Sequence, residues 1–131
     1  QQTFKLLSVD LNGLKVINDT YGHADGDIAI STIAKALQAS GGMNDCCARF
    51  GGDEFIVAGP ENDNDTGELL IEKVHRYLDE FNASSGKPYQ VDASIGLVSL
   101  KPDRSISLEE IIKEADERMY REKVKYHKQR Q

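Results

Sequence analysis

Two consecutive glycines, Gly51 and Gly52, stand between two short apolar runs, Cys46-Cys47-Ala48-Arg49-Phe50 and Phe55-Ile56-Val57-Ala58-Gly59. The runs read as strands, and the pair between them reads as a tight hairpin turn with backbone angles that only glycine adopts cheaply. A hairpin there fixes two antiparallel neighbours of one sheet, and the rest of the chain must build around them. Asp53 and Glu54 follow at once. Strand alternation sends one carboxylate to each side of the ribbon, whereas a twisted turn brings both toward one ligand. Acids beside a bare backbone suit a phosphate bridged by a divalent cation; an ordinary solvated hairpin tip would carry the same residues.

The other segments supply partners for that hairpin. Phe4 to Leu11 is an apolar run read as a buried strand closing at Asp10, which is either a metal-ligand candidate or the cap of the next helix. Asn12 to Gly22 predicts a short helix ended by glycine, with Leu14, Ile17 and Tyr21 on its inner stripe and Lys15 and Asn18 on an adjoining face. His23 to Asp27 opens a longer helix whose Ile30, Ile33, Ala34 and Leu37 face the core, and Asp25 and Asp27 suit its first turn through the helix dipole alone. Asp65-Thr66-Gly67-Glu68 has capping-box spacing before a helix lined by Leu70, Val74, Tyr77, Leu78 and Phe81, with His75 off that stripe.

Asn82 to Pro88 reads as a loop. Tyr89 to Leu100 reads as a strand interrupted at Gly96, where a bulge or a close backbone approach is expected. Lys101 to Arg104 turns the chain, and Ser107-Leu108-Glu109-Glu110 caps a last helix striped by Leu108, Ile111, Ile112, Ala115 and Met119. Its tail, Arg121 to Arg130, carries positive charge. This order predicts an α+β fold, a two-layer βαββαβ palm of ferredoxin-like type with helices on one face of a mainly antiparallel sheet. The first strand and the hairpin are then neighbours, so Asp10 meets Asp53 and Glu54 at one edge.

Charge limits the partners. A net charge of -6 argues against a nucleic-acid or anionic-membrane surface, so a phosphate ligand would rest on a metal and a few placed cations. Cys46 and Cys47, the only cysteines, read as reduced packing residues of an apolar strand, which points to a cytoplasmic compartment. No apolar run approaches the ~20 residues of a membrane span. The segment therefore predicts no membrane contact of its own, although an anchor or a sensor module could lie outside it.

Five separated blocks together resemble the GGDEF family, the diguanylate cyclases. They are Val9-Asp10-Leu11-Asn12 with Leu14-Lys15 and Ile17-Asn18-Asp19; Gly22-His23 with Gly26-Asp27; Arg49 to Phe55; Ser94-Ile95-Gly96; and Ala115-Asp116 with Met119-Tyr120. They run over nearly all of residues 1–131 in the family's order, and the resemblance implies a nucleotidyl cyclase-like palm. It further implies condensation of two GTP into cyclic di-GMP with release of two pyrophosphates, each domain holding one GTP and facing a second copy in a homodimer. Two Mg²⁺ or Mn²⁺ per GTP site would be held by Asp10, the Leu11 carbonyl, Asp53 and Glu54. Asp53 or Glu54 would help deprotonate the attacking hydroxyl. Lys15 and Lys123 match phosphate contacts, Gly51 and Gly52 let the backbone approach the phosphates, and Asn18 and Asp27 match guanine readers. His23 is expected as a structural member of its turn at the nucleotide. The alternative is a catalytically silent domain that binds GTP or cyclic di-GMP as a regulatory module.

The pattern departs from the family in four places. The chain begins after the family's usual opening helix and turn, which implies a reduced wall of the guanine pocket. Asn12 and Leu14 stand where an acid and a phenylalanine are common. Gly42-Met43-Asn44-Asp45 replaces the Arg-x-x-Asp of product feedback, so inhibition by product is expected to be weak or absent. Tyr126-His127-Lys128 lies where a late Gly-Arg pair is usual.

Overall fold

The computed structural model describes the backbone of residues 3–101 and 105–130 and the side chains through residue 126. The predicted turn at Pro102–Arg104 and the departure at His127-Lys128 fall outside the described residues. Strand β1 (Thr3–Leu11) lies inside a four-stranded antiparallel sheet of order β2-β3-β1-β4, with β2 at Cys46–Arg49, β3 at Glu54–Glu61 and β4 at Ala93–Leu100. The α+β palm is thus present, and β1 is flanked by the hairpin arm β3 and by β4. Helices α1 (Leu14–Tyr21), α2 (His23–Ser40), α3 (Gly67–Ser84) and α4 (Leu108–Arg130) complete the fold.

Strand alternation sorts the core into two layers. Leu7, Val9 and Leu11 of β1, with Phe55, Val57 and Ile95, face Ile17, Ile33, Leu37, Leu70, Val74 and Leu78 from α1, α2 and α3. The opposite face carries Leu6, Ile56 and Val98, which pack on Ala115, Ile111 and Ile112 of α4. Helices therefore cover both faces rather than one, with α4 alone on the second. Gly96 permits this packing, because a Cβ there would land on the backbone of Ala115 and Met119. Of the two devices foreseen at Gly96, the close backbone approach is the one found.

Several local expectations shift for identifiable reasons. Strand β4 starts at Ala93 rather than Tyr89, because the Asn82 side chain both accepts from the Val91 amide and donates to the Val91 carbonyl, replacing a strand partner. Asn82 itself belongs to α3, which extends to Ser84. The cap of α3 is Thr66, whose hydroxyl accepts from the Leu69 amide at 3.1 Å; Asp65 instead faces Lys5. The box at Ser107 and Glu110 forms as expected, each bonding the other. Tyr21 and Leu108 lie at the surface, Tyr21 against the Tyr89 ring at 5.3 Å between centroids. Cys46 and Cys47 are exposed and are not packing residues, because β2 is the sheet's edge and all four of its residues face solvent. Among the described residues no helix is long and apolar enough to cross a membrane.

Candidate active site

The antiparallel register of β1 places Asp10 opposite Glu54 on β3 and opposite Ser94 on β4. The Leu11 amide donates to the Asp53 carbonyl at 3.0 Å, which ties the hairpin's exit to the end of β1. Asp10, Asp53 and Glu54 are each half-buried. The acids predicted to converge do so: the Asp10 carboxyl is in Coulombic contact with Asp53 and with Glu54.

A fourth acid joins them from the far end of the sequence. Asp116 on α4 accepts a hydrogen bond from Ser8 and interacts with Glu54, while Ser8 also reaches Glu54 at 3.5 Å. The four carboxylates form a row of neighbours; among the described residues no three His, Cys, Asp or Glu side chains already surround one point. Burial pushes the Asp10 carboxyl above its ordinary value, Lys123 opposes that shift, and Asp53 adds to it. Burial also pushes Glu54 up, with Asp116 and then Asp10 contributing repulsion.

One basic group answers this crowding. The Lys123 ammonium sits 3.0 Å from Asp10 Oδ2 and 3.1 Å from the Leu11 carbonyl. The other carboxyl oxygen, Asp10 Oδ1, is buried and has no hydrogen-bond partner. Such an orphaned acceptor is costly, on the order of 1–3 kcal/mol, unless something supplies a donor or a positive charge.

The glycine turn differs from its predicted form. Neither Gly51 nor Gly52 has a positive φ, and a Cβ at Gly52 would meet nothing within 4 Å, so nothing inside the chain requires glycine at these places. The connection spans residues 50–53, with the Phe50 amide donating to the Glu54 carbonyl at 2.8 Å. Arg49 donates from Nε to the Gly51 carbonyl at 3.0 Å and from Nη2 to the Gly52 carbonyl at 2.6 Å. Because trans peptides set N–H and C=O on opposite sides, the amides of Gly52 and Asp53 point away from that guanidinium.

The remaining predicted residues lie on α1 and α2, apart from the acidic row. Asn18 is half-buried, and its Oδ1 occupies the space that a Cβ on Gly26 would need. Gly26 thereby lets the two helices meet and sets Asn18 against the start of α2, where His23 and Asp27 are exposed; of the two acids expected in the first turn, Asp25 lies there and Asp27 falls just past it. Lys15 is bound to Asp19 at 2.6 Å on the exposed face of α1, and this bond holds its ammonium pKa above the ordinary value. It does not join the acids. Sequence reasoning assigned no role to Asp116, Ser8 or Arg49; Asp116 and Arg49 stand in the matching blocks, which was the available signal. At the feedback position, Asp45 is committed to Lys5 at 2.8 Å and to the Gly42 amide at 2.7 Å.

Comparison with known proteins bears on the family and the fold. The family model described as "Diguanylate cyclase, GGDEF domain" matches residues 1–129. Diguanylate cyclase A of Treponema denticola is 34% identical over 124 residues, 94% of this chain and 33% of that protein. Diguanylate cyclase DgcM of Escherichia coli K12 is 32% identical over 122 residues, 93% of this chain and 29% of that protein. The chain spans about a third of the length of these curated relatives. Among solved structures, the GGDEF domain of TpbB (YfiN) from Pseudomonas aeruginosa superposes with a TM-score of 0.82 at 26% identity, covering 95% of this chain and 73% of that one. With its acids gathered behind a glycine turn on an antiparallel palm, and with the family model spanning nearly its whole length, the chain belongs to the GGDEF domain family of diguanylate cyclases.

Proposed function

We propose that this domain condenses two GTP into cyclic di-GMP and two pyrophosphates, acting as a face-to-face pair with a second copy in the cytoplasm, where GTP is available. The observation that carries the reading is the unpartnered, buried Asp10 Oδ1 within a row of carboxylates. A fold that leaves an acid in that state gains from a bound cation. Mg²⁺ or Mn²⁺ fits on three counts: the orphaned oxygen, the acidic neighbours Asp53 and Glu54, and an ammonium already resting on Asp10 and the Leu11 carbonyl. Asp10, Leu11 O, Asp53 and Glu54 would hold two such ions, which supply neutralisation of the triphosphate charge.

The protein's own groups do the rest. Asp53 or Glu54 accepts the proton of the 3'-hydroxyl, and burial, with crowding by Asp116 and Asp10, raises the proton affinity of Glu54 above that of an ordinary carboxylate. The outward amides of Gly52 and Asp53 donate to phosphate oxygens, with Arg49 holding the turn from behind. Lys123 and Lys15 add positive charge, Lys15 by exchanging Asp19 for phosphate. Asp27 and Asn18 read the guanine edge: its N1 and N2 hydrogens are donors that a carboxylate accepts, whereas adenine offers an unprotonated nitrogen there. His23 supports that wall as a turn residue. Product feedback is weak, because Asp45 is spent on Lys5 and residue 42 has no guanidinium. A sensor or receiver module in a longer chain would bring two such domains together.

Incubation with GTP and Mg²⁺, followed by chromatography, is expected to yield cyclic di-GMP at a rate that rises with the square of protein concentration. Asp53→Asn is expected to abolish it, a loss of about 10³-fold or more, with the circular dichroism spectrum unchanged. Product from Asp53→Asn at the wild-type rate would remove Asp53 from the chemistry. Tight GTP binding with no product at any concentration would favour the silent module instead.

A further inference from the structure

The position of Lys123 carries a consequence for how the site fills, and the inference rests on the metal reading above. Its ammonium contacts the Leu11 carbonyl at 3.1 Å, an atom assigned to the divalent ion, and Asp10 Oδ2 at 3.0 Å, the second oxygen of the carboxylate whose orphaned Oδ1 would receive that ion. The two side chains are only 18% and 16% exposed, so the pair is shielded from bulk water. Lys123 reaches this point from α4, on the sheet face where Ser8 and Asp116 also sit. A divalent ion and an ammonium cannot both bond the same carbonyl oxygen and carboxylate at these distances without strong repulsion.

We infer that Lys123 is a tethered cation that competes with the divalent ion for Asp10 and the Leu11 carbonyl. The ion enters only as Lys123 leaves, and the released ammonium needs another anion, which the triphosphate supplies. Ion and triphosphate therefore bind with strong positive coupling, and the ion alone binds weakly. Reciprocity requires that the triphosphate gain from the ion by the same factor. The arrangement keeps the row of acids from trapping metal in the absence of substrate.

The test is titration of Mn²⁺ into the whole chain, followed by loss of the free-ion electron paramagnetic resonance signal, with and without a non-hydrolysable GTP analogue. Lys123→Met keeps the aliphatic stem, removes the charge, and is expected to bind Mn²⁺ alone about tenfold more tightly than the wild type. The analogue should then improve Mn²⁺ binding less in the variant than in the wild type, a reversal that a loss of structure would not produce. Lys123→Gln should behave alike, and circular dichroism checks that both fold. Equal affinity for Mn²⁺ alone in the wild type and both variants, with Asp10→Asn weakening it, would overturn the tethered cation and leave the metal reading standing. Unchanged Mn²⁺ binding by Asp10→Asn, or no uptake by any form even with the analogue, would overturn both.

Discussion

The two ends of β1 each carry a charge into the protein, and they are treated in opposite ways. Lys5 is 1% exposed, and its ammonium has an acceptor on every side: Asp45 at 2.8 Å, the Pro60 carbonyl at 2.9 Å and Asp65 at 3.6 Å. Asp10, five residues along the same strand, has one oxygen on Lys123 and the other on nothing, with like charges on its flanks. A buried charge with a full set of partners locks structure, here the loop before β2 and the turn after β3 onto β1. A buried charge left short of partners is tolerated where a ligand completes it. The contrast sets a satisfied charge against an unsatisfied one on a single strand.

The contrast breaks most visibly at the satisfied end. Asp45→Ala removes the nearest partner of a fully buried ammonium, and we expect urea denaturation to report a loss of about 3–4 kcal/mol. A loss below about 1 kcal/mol would mean that Asp65 and the Pro60 carbonyl suffice, and the Lys5 network would not be the lock described. At the unsatisfied end the sign reverses. Glu54→Gln removes one charge from the acidic row and should stabilise the fold by about 1 kcal/mol at pH 7, a rise of about 4 °C in melting temperature.

The pH dependence at that end follows from the raised pKa values of Asp10 and Glu54. Between the ordinary carboxylate range near pH ~4 and those raised values, the folded chain holds protons that the unfolded chain has released. Stability supplied by these two groups is therefore present at the acid side of that window and is lost as pH rises through it. Denaturation midpoints measured from pH ~4 to ~7 should fall for the wild type and fall less for Glu54→Gln. A midpoint that climbs with pH equally in both proteins would contradict the repulsion assigned to the row.

These two ends were unequally legible in the sequence. Asp10, Asp53 and Glu54 could be brought together from strand order alone, because the βαββαβ order makes β1 a neighbour of the hairpin and brings its end beside the turn. Lys5 could not be read as buried, since its partners lie 40 and 60 residues away in loops whose course no periodicity announces. Asp116 was hidden for the same reason, reaching Ser8 across 108 residues. Gly51 and Gly52 were located correctly; of the two reasons read for them, the glycine-only turn angle fails, because neither φ is positive, while the bare backbone agrees with the open space beside Gly52. The cysteines were misjudged because an apolar strand pattern does not tell an edge from a centre, and β2 is an edge.

A milder break tests the helix side of the proposed site. Gly26→Ala gains helix propensity of about 1 kcal/mol, yet its Cβ would land on Asn18 Oδ1 and push that amide off α2. Stability should change little as the two effects offset. The preference for GTP over ATP, measured by calorimetric binding of non-hydrolysable analogues, should fall about fivefold. Unchanged preference would place guanine recognition elsewhere than the Asn18–Asp27 corner.

The smallest effect is the most discriminating, because it asks whether a residue proposed for the site does anything without its ligand. Lys15 and Asp19 have side chains 87% and 64% exposed, so their ion pair is a solvent-screened contact on α1. Lys15→Gln should leave the melting temperature where it was, in contrast to both ends of β1. If Lys15 exchanges Asp19 for a phosphate, the same variant should weaken binding of a GTP analogue about threefold and flatten the dependence of that binding on salt. A lower melting temperature with unchanged nucleotide binding would instead make the Lys15–Asp19 pair part of the architecture. The proposed line between partnered structural charges and ligand-seeking ones would then fail on α1, where both members of the pair are in plain contact with water.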